Sequence, residues 1–382
     1  MLKILYLVPN LSDPAVDRRL RMLHLGGATT TVAGFNRTSE IPPLAAKRVF
    51  ALGRTADGRF AQRLHQVFLS RFRGEQSLAH LGVDVIVARN LEMLPLARQL
   101  SRRWKGAPVV YESLDIHRLL LRTDWIGRAM RAAERSLASE VRALITSSPA
   151  FVREYFAPYG QTRVATWIIE NKVLAPQSRG VNPILSNPLA RPVRIGWFGA
   201  LRCRKSLENL TAALARLGGR YELVLRGRPA LREFDDFHAT VGSTPHVRFE
   251  GAYDHSQLAE HYSDVHLCWA IDFFEEGRNS NWLLPNRIYE GCLNGAVPIA
   301  LAGTETARFL ANRGIGIILP DAEVDTIARV FDALTPEQLR TYALKVRDVP
   351  VRDLQTDQQE CEGLVRRLDA LRFTGNFLPE AA

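Results

Sequence analysis

Apolar residues along this chain come in short, mainly apolar runs separated by amphipathic stretches. The first run is 3–8 (KILYLV), and 29–35 (TTTVAGF), 83–89 (VDVIVAR), 107–113 (APVVYES) and 141–148 (VRALITSS) follow it. Each is too short for a helix, and each leads into a segment with helical spacing, as in 16–25. A second series comprises 193–199 (VRIGWFG), 221–227 (YELVLRG), 247–251 (VRFEG), 265–270 (VHLCWA), 296–302 (AVPIALA) and 316–319 (GIIL). Strands that are apolar throughout, rather than alternating, predict parallel sheets covered on both faces, with right-handed crossovers. The expected organisation is α/β. A first doubly wound domain spans 1–175, a Pro/Asn/Ser-rich linker 176–192, and a second domain 193–350. An amphipathic helical tail over 351–382 packs back towards the first domain.

Composition agrees with two globular cores: 382 residues, 46% hydrophobic and 24% charged. Cys203, Cys268, Cys292 and Cys361 lie far apart with no C-x-x-C pair, which reads as reduced, buried thiols in a cytoplasmic protein. The opening MLKILYLVPNLSDP carries one lysine and a short apolar run ended by proline, a strand rather than a signal peptide. No apolar stretch approaches the ~20 residues that cross a bilayer. The formal charge is +10, which favours anionic partners: nucleic acid, lipid headgroups or a phosphorylated substrate.

Missing motifs narrow the chemistry. Neither G-x-G-x-x-G nor G-x-x-x-x-G-K-[ST] occurs, which argues against a standard dehydrogenase or P-loop nucleotidase. G-x-S-x-G and D-x-D are absent too, and His255, His261 and His266 have no metal-ligand spacing. No metal and no cofactor are expected; a bound diphosphate would be met by cations and backbone N–H groups.

The most informative stretch is 283–300, LLPNRIYEGCLNGAVPIA. Pro285 and Asn286 start a helix carrying Arg287 and Glu290, Gly295 ends it, and a strand follows. A carboxylate at Glu290 suits the paired hydroxyls of a ribose; a solvated helix face is the alternative. The segment resembles the donor-binding motif of GT-B glycosyltransferases, P-N-K-x-x-E-x-x-x-x-G-x-x-P-[VI]. Pro285, Asn286, Glu290, Gly295, Pro298 and Ile299 match, and Arg287 replaces the lysine. The resemblance implies two Rossmann-like domains facing across a cleft, with Glu290 on the donor ribose.

A second match is GWFGALRCRKS, 196–206. Proteins similar to glycosyltransferase family 4 have a glycine at a strand end, then an arginine and a lysine that clamp the diphosphate. Gly199 and Lys205 fall at those places, but Ala200 stands at the arginine position, so Arg202 or Arg204 is expected to substitute. RGRPA (226–230) resembles the family's post-strand glycine turn and adds Arg226. GTETARFL (303–310) resembles the loop-to-helix element under the nucleotide and adds Thr304 and Glu305.

The first half resembles exopolysaccharide-assembly glycosyltransferases that build succinoglycan-type units on a lipid carrier. In an inverting enzyme a base serves the acceptor hydroxyl, and Asp115 and His117 lead the candidates, with Asp13 and Asp17 behind them. A retaining family 4 enzyme carries a glutamate eight residues before the ribose glutamate; here Trp282 stands there, with Glu275 and Glu276 farther upstream. That departure turns the reading towards inversion. Two basic amphipathic stretches suit an anionic membrane surface: Arg59, Phe60, Arg63, Leu64, Val67, Phe68, Arg71 and Phe72, and then 119–121 with Trp125, Ile126, Arg128 and Arg131. The expectation is a UDP-sugar donor, UDP-glucose foremost, and a lipid-linked acceptor. A nucleotide-sugar epimerase on the same fold is the alternative. A nucleic-acid binder, without RNA-type aromatic motifs, is set aside.

Overall fold

A computed structural model describes residues 1–36, 41–54, 77–174, 179–187 and 192–373. The stretch from Arg59 to Phe72 therefore lies outside the described residues. The chain divides into two compact units, Met1–Glu170 with Asp357–Ala382, and Asn171–Thr356.

The first unit is built on a seven-stranded parallel sheet in the order β3-β2-β1-β4-β5-β6-β7. Its strands are β1 (Lys3–Val8), β2 (Thr29–Asn36), β3 (Arg48–Arg54), β4 (Val85–Arg89), β5 (Val109–Ser113), β6 (Val141–Thr146) and β7 (Ala165–Ile168). β1, β4 and β5 are buried from end to end apart from Lys3, as their unbroken apolar runs require. Helix α1 (Pro14–Leu25) follows β1. Pro14 pre-sets its first turn, and the Asp13 carboxylate accepts from the Ala15 N–H at 2.9 Å. Helices α2 (Leu94–Arg103) and α3 (Trp125–Ala138) follow β4 and β5.

The second unit has a six-stranded parallel sheet. A short strand β8 (Val173–Leu174) comes first. The sheet itself runs β11-β10-β9-β12-β13-β14, from β9 (Val193–Leu201), β10 (Tyr221–Pro229), β11 (Val247–Phe249), β12 (Leu267–Trp269), β13 (Val297–Leu301) and β14 (Ile317–Leu319). Helix α4 (Arg204–Ala215) follows β9, α5 (Asn286–Leu293) precedes β13, and α6 (Glu305–Arg313) precedes β14. Helices α7 (Val324–Ala333) and α8 (Pro336–Asp348) come next. Trp197, Leu207, Trp269, Ile288 and Phe331 belong to one continuous core. A last strand, β15 (Gln355–Thr356), pairs in parallel with β8.

The segment read as a linker is, over 179–187, tied into this second unit. The Asn182 amide donates to the carbonyls of His266 (2.8 Å) and Gly295 (2.9 Å), and Arg179 donates to those of Val346 and Val349. The chain then returns to the first unit as α9 (Gln358–Ala370). α9 comes so close to the end of α1 that a Cβ on Gly26 would lie 2.4 Å from the Cys361 carbonyl oxygen.

In both sheets the strand order reverses beside the central strand, between β1 and β4 and between β9 and β12. Such crevices at the carboxyl ends of strands are where doubly wound folds bind ligands.

Candidate functional site

In the second unit β9 and β10 run in register from Val193 opposite Tyr221 to Leu201 opposite Pro229, and Gly199 faces Gly227. Both have positive φ, +109° and +134°, and a Cβ on Gly227 would lie 1.8 Å from the Gly199 carbonyl oxygen. Only glycine fits that approach. Arg202 follows β9, and Cys203 caps α4, its sulfur accepting from the Ser206 N–H and from the Phe273 N–H at 3.2 Å. That second bond fixes the segment leaving β12 against the start of α4.

The same segment carries the partners of two expected phosphate ligands. Arg202 Nη2 lies 3.1 Å from the Asp272 carboxylate, and its guanidinium covers the Phe274 ring at 4.6 Å. Lys205 Nζ lies 3.1 and 3.2 Å from the two Glu276 oxygens and 4.4 Å from the centre of Phe273. Arg204 instead pairs with Glu208 and Asp235. Arg226, on β10, pairs with Glu250. Arg202 and Lys205 are thus brought together at the β9/β12 crevice.

Helix α5 turns the face that carries Arg287 and Glu290 inward. Arg287 is 8% exposed and Glu290 6%, whereas Asn286 at the helix start is exposed. Three residues apart, Arg287 and Glu290 share a face, and Arg287 Nη1 reaches the Trp269 carbonyl at the end of β12 at 3.4 Å. Burial first, and then the Glu290 charge, push the Tyr253 hydroxyl well above its ordinary pKa. Burial raises the Cys268 thiol to about 12, against the opposing Arg287 charge, which leaves it an inert thiol. All four cysteines are free and buried. At the start of α6, Thr304 Oγ1 accepts from the Ala307 N–H and donates to the Leu301 carbonyl. Its side chain is used as a cap. Glu305 is buried, 3.8 Å from Arg308.

The first unit has its own cluster at the β1/β4 crevice. Glu112, at the end of β5, is wholly buried. Arg19 Nε lies 2.6 Å from it, Arg89 Nε 3.4 Å, and the Tyr6 hydroxyl donates to it. Burial opposes its charge, yet the two guanidiniums and the Tyr6 bond hold Glu112 below the usual carboxylate range. Arg89 Nη1 also reaches Asp13 at 3.3 Å. Burial works against the Arg89 charge, but Tyr6, Glu112, Asp13 and Asp115 together hold it well above its ordinary value. Asp13 and Asp115 therefore act on one guanidinium.

Asp17 is turned away, pairing with Arg21 at 2.6 Å and accepting from the Ala45 N–H at 2.9 Å. His117 Nδ1 accepts from the Leu119 N–H at 3.3 Å. Arg131, expected on a basic surface, is instead buried and donates to the Leu120 and Arg122 carbonyls at 2.6 and 2.7 Å. Its donors satisfy the turn before α3. Trp125 remains 70% exposed. Sequence reasoning missed the Tyr6–Arg19–Arg89–Glu112 cluster; the one available sign was a charge, Glu112, inside an apolar strand. Among the described residues no group of three or more His, Cys, Asp or Glu side chains is placed to hold a metal ion.

Two parallel sheets of this order in one chain match GT-B glycosyltransferase structures, and this chain has that fold. Sucrose-phosphate synthase from Thermosynechococcus elongatus superposes with a TM-score of 0.73 at 16% identity, over 98% of this chain and 99% of that one. Anabaena HepE in complex with UDP-glucose gives 0.65 at 17% identity, over 96% and 99%. WaaG, a glycosyltransferase involved in lipopolysaccharide biosynthesis, gives 0.64 at 13% identity, over 95% and 99%. No protein-family model matches the chain. Succinoglycan biosynthesis protein ExoL of Rhizobium meliloti is 50% identical over 381 residues, 97% of this chain and 94% of its own length. The chain belongs to the family of that protein. The fold and the exopolysaccharide resemblance expected from the sequence both hold.

Proposed function

We propose that this chain is a glycosyltransferase that moves a sugar from UDP-glucose, or a closely related nucleotide-sugar, onto a lipid-linked saccharide in exopolysaccharide assembly. The observation that carries this reading is the buried Glu290 at the same crevice as the Arg202 and Lys205 cations. The family supports the exopolysaccharide context, and the UDP-glucose complex of HepE supports the donor.

In this reading Glu290 accepts hydrogen bonds from the ribose hydroxyls, with Arg287 and the exposed Asn286 beside it. Arg202 and Lys205 exchange their carboxylate partners for diphosphate oxygens. The Gly199 turn keeps the backbone clear of the diphosphate, and the first N–H groups of α6, around Glu305, add donors. These fixed cations stabilise the charge that develops on the departing UDP, and the reaction proceeds in EDTA. The first unit takes the acceptor. Asp115, with His117 as second candidate, removes the hydroxyl proton as its oxygen bonds to the anomeric carbon and the bond to UDP breaks. Arg89 orients the neighbouring Asp13. A single displacement of this kind inverts the anomeric centre.

Calorimetry with UDP-glucose tests the donor half. Glu290→Ala and Lys205→Ala are each expected to weaken binding about 10- to 100-fold, the loss of one charge-assisted hydrogen bond or more. Wild-type affinity in both variants would refute the reading. Epimer formation from UDP-glucose without acceptor would instead support the isomerase alternative.

A further inference from the structure

One residue at the β1/β4 crevice has a backbone that no local requirement explains. Asn90 directly follows β4, with φ 64° and ψ 161°. That region is populated essentially by glycine, and non-glycine residues held there cluster at ligand sites. Two other described non-glycine residues have positive φ, Lys105 and His246. Both precede strands, at the opposite ends of the sheets from the crevices. Asn90 alone of the three stands where a strand delivers its carboxyl end.

The strained backbone is held from both sides. The Asn90 N–H donates to the Glu112 carbonyl at 2.7 Å, and its own carbonyl accepts from the Met93 N–H at 3.2 Å. Glycine would make both bonds without strain. An asparagine before a helical turn usually justifies itself by capping it, but the Asn90 side chain makes no capping bond to the turn Leu91–Met93. Its Oδ1 is enclosed and without a hydrogen-bond partner, a condition that native structures seldom leave unanswered. The side chain therefore costs stability twice, through its backbone and through its unpaired oxygen, and returns none locally. Next to it, Arg89 holds Asp13.

We propose that Asn90 is a positioning residue for the acceptor, its amide exchanging hydrogen bonds with saccharide hydroxyls beside the Arg89–Asp13 pair. The proposal deepens the glycosyltransferase reading and rests on it for the identity of the acceptor. An amide suits this role because it offers an acceptor and two donors in one plane, matching adjacent sugar hydroxyls. It holds the acceptor while a carboxylate takes the proton.

The test uses Asn90→Gly and Asn90→Asp in the full chain, with p-nitrophenyl β-glucoside and β-galactoside as probes. Ligand-observed NMR titration is expected to show saturable binding of at least one glycoside by the wild-type protein. Asn90→Gly should weaken it at least about tenfold, the loss of one or two hydrogen bonds, with Asn90→Asp in between. UDP-glucose affinity should stay within about twofold, and the Gly variant should melt no lower than wild type because its backbone is relaxed. Unchanged glycoside binding in Asn90→Gly, a lowered melting temperature, or no glycoside binding by the wild type each overturns the proposal. If the wild type fails to bind UDP-glucose while glycoside binding still depends on Asn90, the donor reading fails and the residue assignment stands.

Discussion

Glu276 occupies the Lys205 amine, proposed above as a diphosphate ligand. Its two carboxylate oxygens both contact Lys205, and Asp272 takes one contact from Arg202. The Lys205–Glu276 pair is half-exposed, so water screens it and it holds with little energy. Glu276→Gln should therefore tighten UDP-glucose binding roughly two- to fivefold, opposite in sign to Lys205→Ala, consistent with removing an exposed competing charge. Calorimetry on both variants checks this, and weaker binding by Glu276→Gln would make the carboxylate a donor ligand instead of a competitor. At this scale the sequence is legible where a motif holds residues at a fixed local spacing. Pro285, Glu290, Gly295 and Pro298 stand out because one helix, the turns at its two ends and the strand after it carry them all. Arg19, Arg89 and Glu112 do not, because they meet only when α1, β4 and β5 assemble. Their partnership depends on contacts far apart in the chain.

Elements were legible in proportion to their burial. β1, buried almost throughout, matches its apolar run residue for residue, and β4, β5 and β6 differ from theirs by a residue or two at the ends. β3 and β7, the two edges of the first sheet, escaped notice, and both are largely exposed. In the second unit, the residue just before β12 is a buried base. His266 is 1% exposed, its Nδ1 accepts from the Arg194 N–H at 3.0 Å, and its Nε2 has no partner. Burial, aided by the Arg194 charge, pushes its pKa from 6.5 down to about 4. Above pH 6.5 the imidazole is neutral in both folded and unfolded chains. As the pH falls from there towards 4, only the unfolded chain takes up the proton, and stability is lost by about 3 kcal/mol in all. His266→Asn keeps an acceptor for Arg194 and should flatten this part of the profile. Urea unfolding at pH 7, 5.5 and 4 measures it; parallel profiles for the two proteins would remove His266 as the cause.

For the molecule as a whole, the +10 formal charge and the exposed Trp125 among Arg118, Arg122 and Arg128 fit attraction to anionic headgroups. No described helix is long and apolar enough to cross a membrane. The protein is expected to sediment with anionic vesicles at low salt and to leave them near 0.5 M, roughly where the screening length falls below the size of the patch. Trp125→Ala should reduce the bound fraction severalfold, since an aromatic ring at the headgroup level anchors what charge attracts. Equal binding to neutral vesicles, or indifference to the tryptophan, would end that assignment. The return of the chain into the first unit has a consequence for its synthesis. α9, which seats against Gly26 at the end of α1, is made only after the whole second unit, every residue of which lies between Asn171 and Thr356. On the ribosome, at ~5–20 residues per second, the first unit waits roughly 10–40 seconds for that helix. The half that begins emerging second is therefore complete first, and the older half spends the interval with one flank of α1 bare.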